Sequence, residues 1–205
     1  MQTIRIFSTI FLSFSFLLSI GSSNIETLIK RAKLSEINGD IEAANSLYLE
    51  ALKIEPNNSE TYLLIGNIFQ IKGDFDSALK KYNEAISLNP NNDKAYFYRS
   101  NLNTDLGNVF SAIKDLSTAI EINPNRAIYY MQRAFLYVSV NDTHQSINDF
   151  SIACQINEEE AKAYYQMAKT QGLVRNENKF ITSVKEEIKT GSYKAEVVFN
   201  LLCSL

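Results

Sequence analysis

Between Ser59 and Pro90 the apolar residues fall into two helical stripes with one break between them. Tyr62, Ile65, Gly66 and Phe69 recur at three- and four-residue steps, which places them on one face of a helix. Gly73-Asp74 interrupts the pattern. Phe75, Ala78, Tyr82 and Ala85 resume it on a second helix that ends at Asn89-Pro90. Gly66, Ala78 and Ala85 are small, so they are expected where the two helices approach closely. Tyr62, Phe69, Phe75 and Tyr82 then fill the remaining space.

The same plan recurs at a spacing of 34 residues. The chain has three prolines, Pro56, Pro90 and Pro124, and each lies 34 from the next. Gly39, Gly73 and Gly107 keep that step, as do Ala44, Ala78 and Ala112, and Ala51, Ala85, Ala119 and Ala153. In the first copy Ile25, Leu28, Ile29 and Ala32 make one helix face, and Ala44, Leu47, Tyr48, Ala51 and Leu52 make another. Gly39 suits a left-handed C-terminal position, and Asp40 can cap the helix that follows. Pro56 falls after a helix end, where it removes no ladder hydrogen bond.

Later copies vary the plan. In the third, Ser100 replaces the helix glycine, and Asn103 stands where an aromatic is usual, which predicts looser packing there. In the fourth, Asn141 takes the place of the turn glycine and tolerates a left-handed backbone. Glu158 replaces the proline. Ala161, Tyr164 and Ala168 continue the phase as a fifth first helix, ended near Gly172. Residues 176–189 and 193–203 read as two closing helices separated by Gly191-Ser192.

Period and content resemble the tetratricopeptide repeat, a helix–turn–helix unit. Its pattern of large aromatic, small residue, turn glycine, alanine, aromatic, alanine and proline is matched best by copies two and three, and the resemblance covers about residues 24–172. It implies an all-α fold, a right-handed α-α superhelix, or solenoid. Repeats are expected over about 25–58, 59–92, 93–126 and 127–160, with a degenerate fifth over 161–190 and a cap over 192–203. No linker divides residues 24–205, so one domain is expected.

In this family the first helices usually line a concave groove that holds an extended peptide or a partner helix. The resemblance therefore implies a groove formed by Leu63, Asn67, Phe97, Tyr98, Asn101, Met131, Phe135 and Tyr165. Asn67 and Asn101 occupy equivalent places, and an amide there can donate to and accept from a peptide backbone. Phe97, Tyr98, Met131, Phe135 and Tyr165 would form an apolar partner patch; alternatively, several of them pack against neighbouring helices. One subgroup of the family grips a C-terminal carboxylate with Lys, Asn, Asn, Lys and Arg. Here the places starting from copy two read Leu63, Asn67, Tyr98, Ile128 and Gln132, and the other two starting points also fail, so no carboxylate clamp is expected. Arg99 and Arg133 are equivalent. They would contact a phosphate or an acidic peptide, or, as the simpler alternative, pair with acids of the adjacent helix while their stems cover apolar surface.

Ahead of the repeats, Arg5 precedes an apolar run from Ile6 to Ile20 that is diluted by Ser8, Thr9, Ser13, Ser15 and Ser19. Small residues follow, so residues 1–23 read as a secretory signal cut after Gly21 or Ser23, or as an uncleaved N-terminal anchor tethering the chain to a membrane through residues 4–20. Either reading puts the protein in an exported (periplasmic or secreted) or membrane-attached location. As a helix the run spans about 22 Å, less than the roughly 30 Å hydrocarbon core.

A net charge of −3 argues against a partner as polyanionic as nucleic acid. Cys154 and Cys203 form neither a disulfide framework nor a metal site, and no metal or other cofactor is expected. The single histidine, His144, lies in a turn with no acid or nucleophile pattern around it, and no phosphate-loop, nucleophile-elbow or zinc-protease motif is present. The expected function is a non-catalytic protein–protein interaction module or scaffold that binds a protein or peptide segment. The alternative is an assembly component acting by self-association or through its convex face.

Overall fold

The computed structural model describes residues 25–170 and 177–203. The N-terminal segment 1–23, the Gly172 break and the side chains of Tyr164, Ala168 and Cys203 lie outside the described residues. Among the described residues there are eleven helices and no strand. Helix α1 covers 25–37. It is followed by α2 (Ile41–Ile54), α3 (Ser59–Ile71), α4 (Phe75–Leu88), α5 (Asp93–Asp105), α6 (Val109–Ile122), α7 (Ala127–Ser139), α8 (Thr143–Ile156), α9 (Glu158–Thr170), α10 (Glu177–Lys189) and α11 (Tyr193–Cys203).

One device closes the turn inside each of the first four pairs. Gly39, Gly73, Gly107 and Asn141 have φ values of 79°, 76°, 75° and 61°. That left-handed residue lets two backbone N–H groups turn back onto the last carbonyls of the first helix. In the second pair, Gly73 N donates to Gln70 O at 3.0 Å and Asp74 N to Phe69 O at 2.9 Å. Asp74 then accepts from Ser77 N and starts the next helix. Asp40 does the same through Ala43 N, as its place in the sequence predicts.

The chain falls into two compact units, Met1–Pro90 and Asn91–Leu205. The division lies in the turn between α4 and α5, a repeat boundary.

In the first unit Ala32, Ala44, Tyr48, Ile65 and Ile68 form one core cluster, and Ile25, Leu28 and Ala51 form another. Gly66 shows why a small residue recurs at its place. A Cβ added there would lie 2.6 Å from Cε1 of Tyr82. The Tyr82 ring is fully buried, and its hydroxyl donates to Gln70 Oε1 at 2.8 Å, so it has no room to swing away.

In the second unit the equivalent small residues, Ser100 and Ala134, are fully buried. Its core runs from Ala112 through Leu116, Met131 and Phe150 to Val184 and Val198. Two features depart from the expected register. First, α9 begins at Glu158, three residues before the Ala161 start that the period predicts. Asn157 accepts from Glu160 N at 3.0 Å and caps the new start, and Glu158, Glu159 and Glu160 place negative charge in its first turn. Second, α10 and α11 pack on each other and both pack on α8. Phe180 sits one period after Ser146 and two after Ala112, at a place that elsewhere is small. Its ring meets Phe150 at 5.7 Å, so the close helix approach of the earlier pairs is not available to α10.

Replacing Gly66 with alanine should lower unfolding free energy by about 1–3 kcal/mol, as expected of overpacking against a fixed ring. Urea denaturation of the full chain followed by circular dichroism measures it, and an unchanged midpoint would contradict the packing argument.

Candidate functional site

Six of the eight sequence-predicted residues lie in the second unit, on α5, α7 and α9. Phe97 on α5 meets Tyr129 of α7 with ring centroids 5.0 Å apart, and meets Tyr98 edge-on at 5.7 Å. Phe135 on α7 stacks on Tyr165 of α9 at 6.0 Å and meets Phe150 edge-on at 5.1 Å. Asn101 and Gln132 join the same two helices through their amides, with Gln132 Nε2 donating to Asn101 Oδ1. Asp93, at the start of α5, accepts from the Tyr129 hydroxyl at 2.8 Å and from Asn123 Nδ2 at 2.9 Å. Burial pushes the Tyr129 phenol well above its ordinary value, and the bond to Asp93 adds to the shift.

Burial divides the set. Met131 and Tyr165 are fully buried and Leu63 nearly so, which makes them core rather than surface. A first helix of a repeat stack is contacted on more than one side, by its own second helix and by neighbouring helices. Positions that look unused for packing in one pair are therefore used between pairs. Phe97, Tyr98, Asn101 and Phe135 keep part of their surface exposed. Asn67 is likewise half-buried, on α3 of the other unit. Gln132 joins the site although its partnership with Asn101 was not read from the sequence. Its Oε1 is buried without a hydrogen-bond partner.

Arg99 and Arg133 are ion-paired rather than free to hold an anion. Arg99 donates from Nε and Nη2 to Asp115 at 2.9 and 2.6 Å. Arg133 does so to Asp149 at 2.7 and 2.9 Å, and its Nη1 donates to Ser117 Oγ at 2.8 Å. Asp115 and Asp149 are themselves 34 residues apart, a step in the sequence that could have revealed the pairing. Tyrosine rings flank both cations: Tyr96 lies 5.5 Å from Arg99, and Tyr130 and Tyr137 lie 5.9 Å from Arg133. Asn103, expected to loosen the packing, is buried and donates to Asp115 Oδ2 at 3.2 Å. It replaces an aromatic because it serves the carboxylate.

Little points to chemistry. Burial, with the negative charge of Glu158 adding to it, pushes the Cys154 thiol up to about 11, so almost none is thiolate at neutral pH. His144 is exposed in the first turn of α8. Among the described residues no acidic, histidine or cysteine group could hold a metal ion, and no helix is long and apolar enough to cross a membrane.

These features define a helical-repeat protein whose distinctive residues lie on helix faces. Two family models match it, one described as a TPR repeat over residues 66–107 and one as a tetratricopeptide repeat over 47–80. Residues 47–107 thus carry tetratricopeptide repeats, and the all-helical fold of the described residues is that of a repeat solenoid. No curated protein matches the sequence. Among solved structures it is similar to the MamA protein, with 22% identity and a TM-score of 0.59 over 84% of this chain and 96% of that one. It is also similar to the first TPR of Spaghetti (RPAP3) bound to the HSP90 peptide SRMEEVD, with 20% identity and a TM-score of 0.56 over 58% of this chain and 98% of that one. A third likeness, to the Thermobaculum terrenum O-GlcNAc transferase, has 21% identity and a TM-score of 0.60 over 66% of this chain but only 26% of the transferase. Identities this low establish the fold alone.

Breaking one ion pair should cost far more than replacing it whole. Asp149→Ala leaves the largely enclosed Arg133 with Ser117 but without its carboxylate and should lower unfolding free energy by about 3 kcal/mol. Arg133→Met with Asp149→Leu should recover most of that loss. Equal denaturation midpoints for the single and double variants would contradict the pairing.

Proposed function

We propose that this protein is a non-catalytic interaction module that holds an extended segment of a partner protein along the first-helix face of α5, α7 and α9. The observation that carries the reading is the pairing of two kinds of group on that face. Phe97, Tyr98 and Phe135 offer part of their rings, held by neighbouring rings at 5.0 to 5.7 Å. Between them lies the Asn101–Gln132 amide pair. Fixed aromatic edges suit apolar side chains, and amides suit a peptide backbone of any sequence. Lys162, the cation of α9 nearest this face in sequence, is occupied by Glu158 at 2.7 Å and Glu159 at 3.5 Å. The reading therefore favours an internal, uncharged segment over an acidic chain end.

Phe97 and Phe135 also pack against the core, so truncating them would unfold as well as unbind. The test uses Tyr98→Glu and the double variant Asn101→Ala with Gln132→Ala against binders selected from a random peptide display library. Each variant should weaken the selected peptides about tenfold or more, equivalent to about 1.4 kcal/mol. Amidated and free-acid forms should bind alike, and SRMEEVD should not compete. Undiminished binding, or dependence on a free carboxylate, would overturn the reading.

Exposed apolar side chains at the α5–α6 turn support a second reading, self-association. Phe110 is 78% exposed and Leu106 43%. Light scattering of the full chain should then show mass rising with concentration, and Phe110→Ser should abolish the rise. A monomer at all concentrations would remove this reading.

A further inference from the structure

The Asn101–Gln132 pair offers a bound chain more donors than acceptors. Gln132 Nε2 donates one hydrogen to Asn101 Oδ1, so that oxygen is already engaged. Gln132 Oε1 is buried, out of reach of a ligand. Asn101 Nδ2 has no partner among the described residues, and the second hydrogen of Gln132 Nε2 is also uncommitted. Both residues keep part of their surface exposed.

This imbalance separates the chains that could lie on the face. An ordinary extended segment brings an N–H group for nearly every carbonyl. Pressed against rings and an amide pair short of acceptors, those N–H groups would give up water without replacement. A partner helix satisfies its own backbone and would leave the amide hydrogens unused. A polyproline II segment differs from both. It has no internal hydrogen bonds, so its carbonyls are free to accept, and its prolines carry no N–H to satisfy.

The rings suit the same occupant. Phe97 is held against Tyr129 at 5.0 Å and edge-on to Tyr98 at 5.7 Å, and Phe135 is held against Phe150 at 5.1 Å. Phe97, Tyr98 and Phe135 keep part of their surface open. Proline rings pack on fixed aromatic surfaces of this kind, and a segment already set in polyproline II loses little freedom on docking. The charges agree with an uncharged ligand. Arg99 and Arg133 are paired with Asp115 and Asp149, and Lys162 with Glu158 and Glu159.

We propose that the segment held on α5, α7 and α9 is a proline-rich stretch in the polyproline II conformation. Asn101 Nδ2 and Gln132 Nε2 donate to its carbonyls, and its prolines pack on Phe97, Tyr98 and Phe135. This class of segment is an addition to the peptide-binding reading of the same face, on which it rests.

The test titrates the full chain with decaproline blocked at both ends, and counts proline in the binders selected from a random peptide library. Decaproline should bind, and the selected peptides should be rich in proline. Asn101→Asp exchanges the uncommitted amide nitrogen for an oxygen and keeps the atom that accepts from Gln132. It should weaken decaproline about tenfold or more, with the helical circular dichroism and the denaturation midpoint unchanged. Full-strength binding of decaproline by a folded Asn101→Asp chain would overturn the proposal. Selected peptides poor in proline that still depend on Tyr98 would overturn it and leave the peptide-binding reading standing. Absence of any binder sensitive to Tyr98→Glu would overturn both.

Discussion

Within each repeat the structure depends on how closely the first helix can approach the second. At Gly66 that approach leaves no space for even one methyl group against the Tyr82 ring. The same place holds Ser100 and Ala134 in the next two copies, both fully buried. Opposite them the second helices carry Leu116 and Phe150 in the place of Tyr82, also fully buried. Small against large, repeated every 34 residues, sets the spacing of each pair. The left-handed turn residue then sets its direction. Where Phe180 breaks the small-residue rule, the regular pairing ends and α10 and α11 pack together on α8.

The second unit adds polar structure to this frame. Arg99–Asp115 and Arg133–Asp149 replace the Ile65 and Lys81 of the second copy at the same two places. Removing such charges from water costs several kcal/mol unless every bond is made. Here each carboxylate receives two guanidinium bonds, and Asn103 adds a third to Asp115. The pairs fix the rotation of each first helix against its second. That in turn orients Tyr98, Asn101 and Gln132 on the neighbouring stripe.

Much of this was legible in the sequence because the fold's constraints are periodic. Pro56, Pro90 and Pro124 mark the ends of pairs, and Gly39, Gly73 and Gly107 mark the turns. A period read from one residue type is confirmed by the others. The candidate site was less legible. Leu63, Met131 and Tyr165 carry the side chains expected of a binding groove, yet they are buried in the core. A helix in the middle of a stack has more than one packing face, and a single-helix periodicity cannot separate them. Asn103 misled for the opposite reason: its polarity looked like a packing defect because its partner, Asp115, lies on the next helix.

In the proposed function, recognition belongs to the exposed remainder of the first helices, with the second helices serving as support. Hydrogen exchange of the full chain, with and without a peptide selected for binding, separates the two. Exchange should slow in α5, α7 and α9 alone. Protection centred on α6 and α8, or no change in any of these helices, would contradict it.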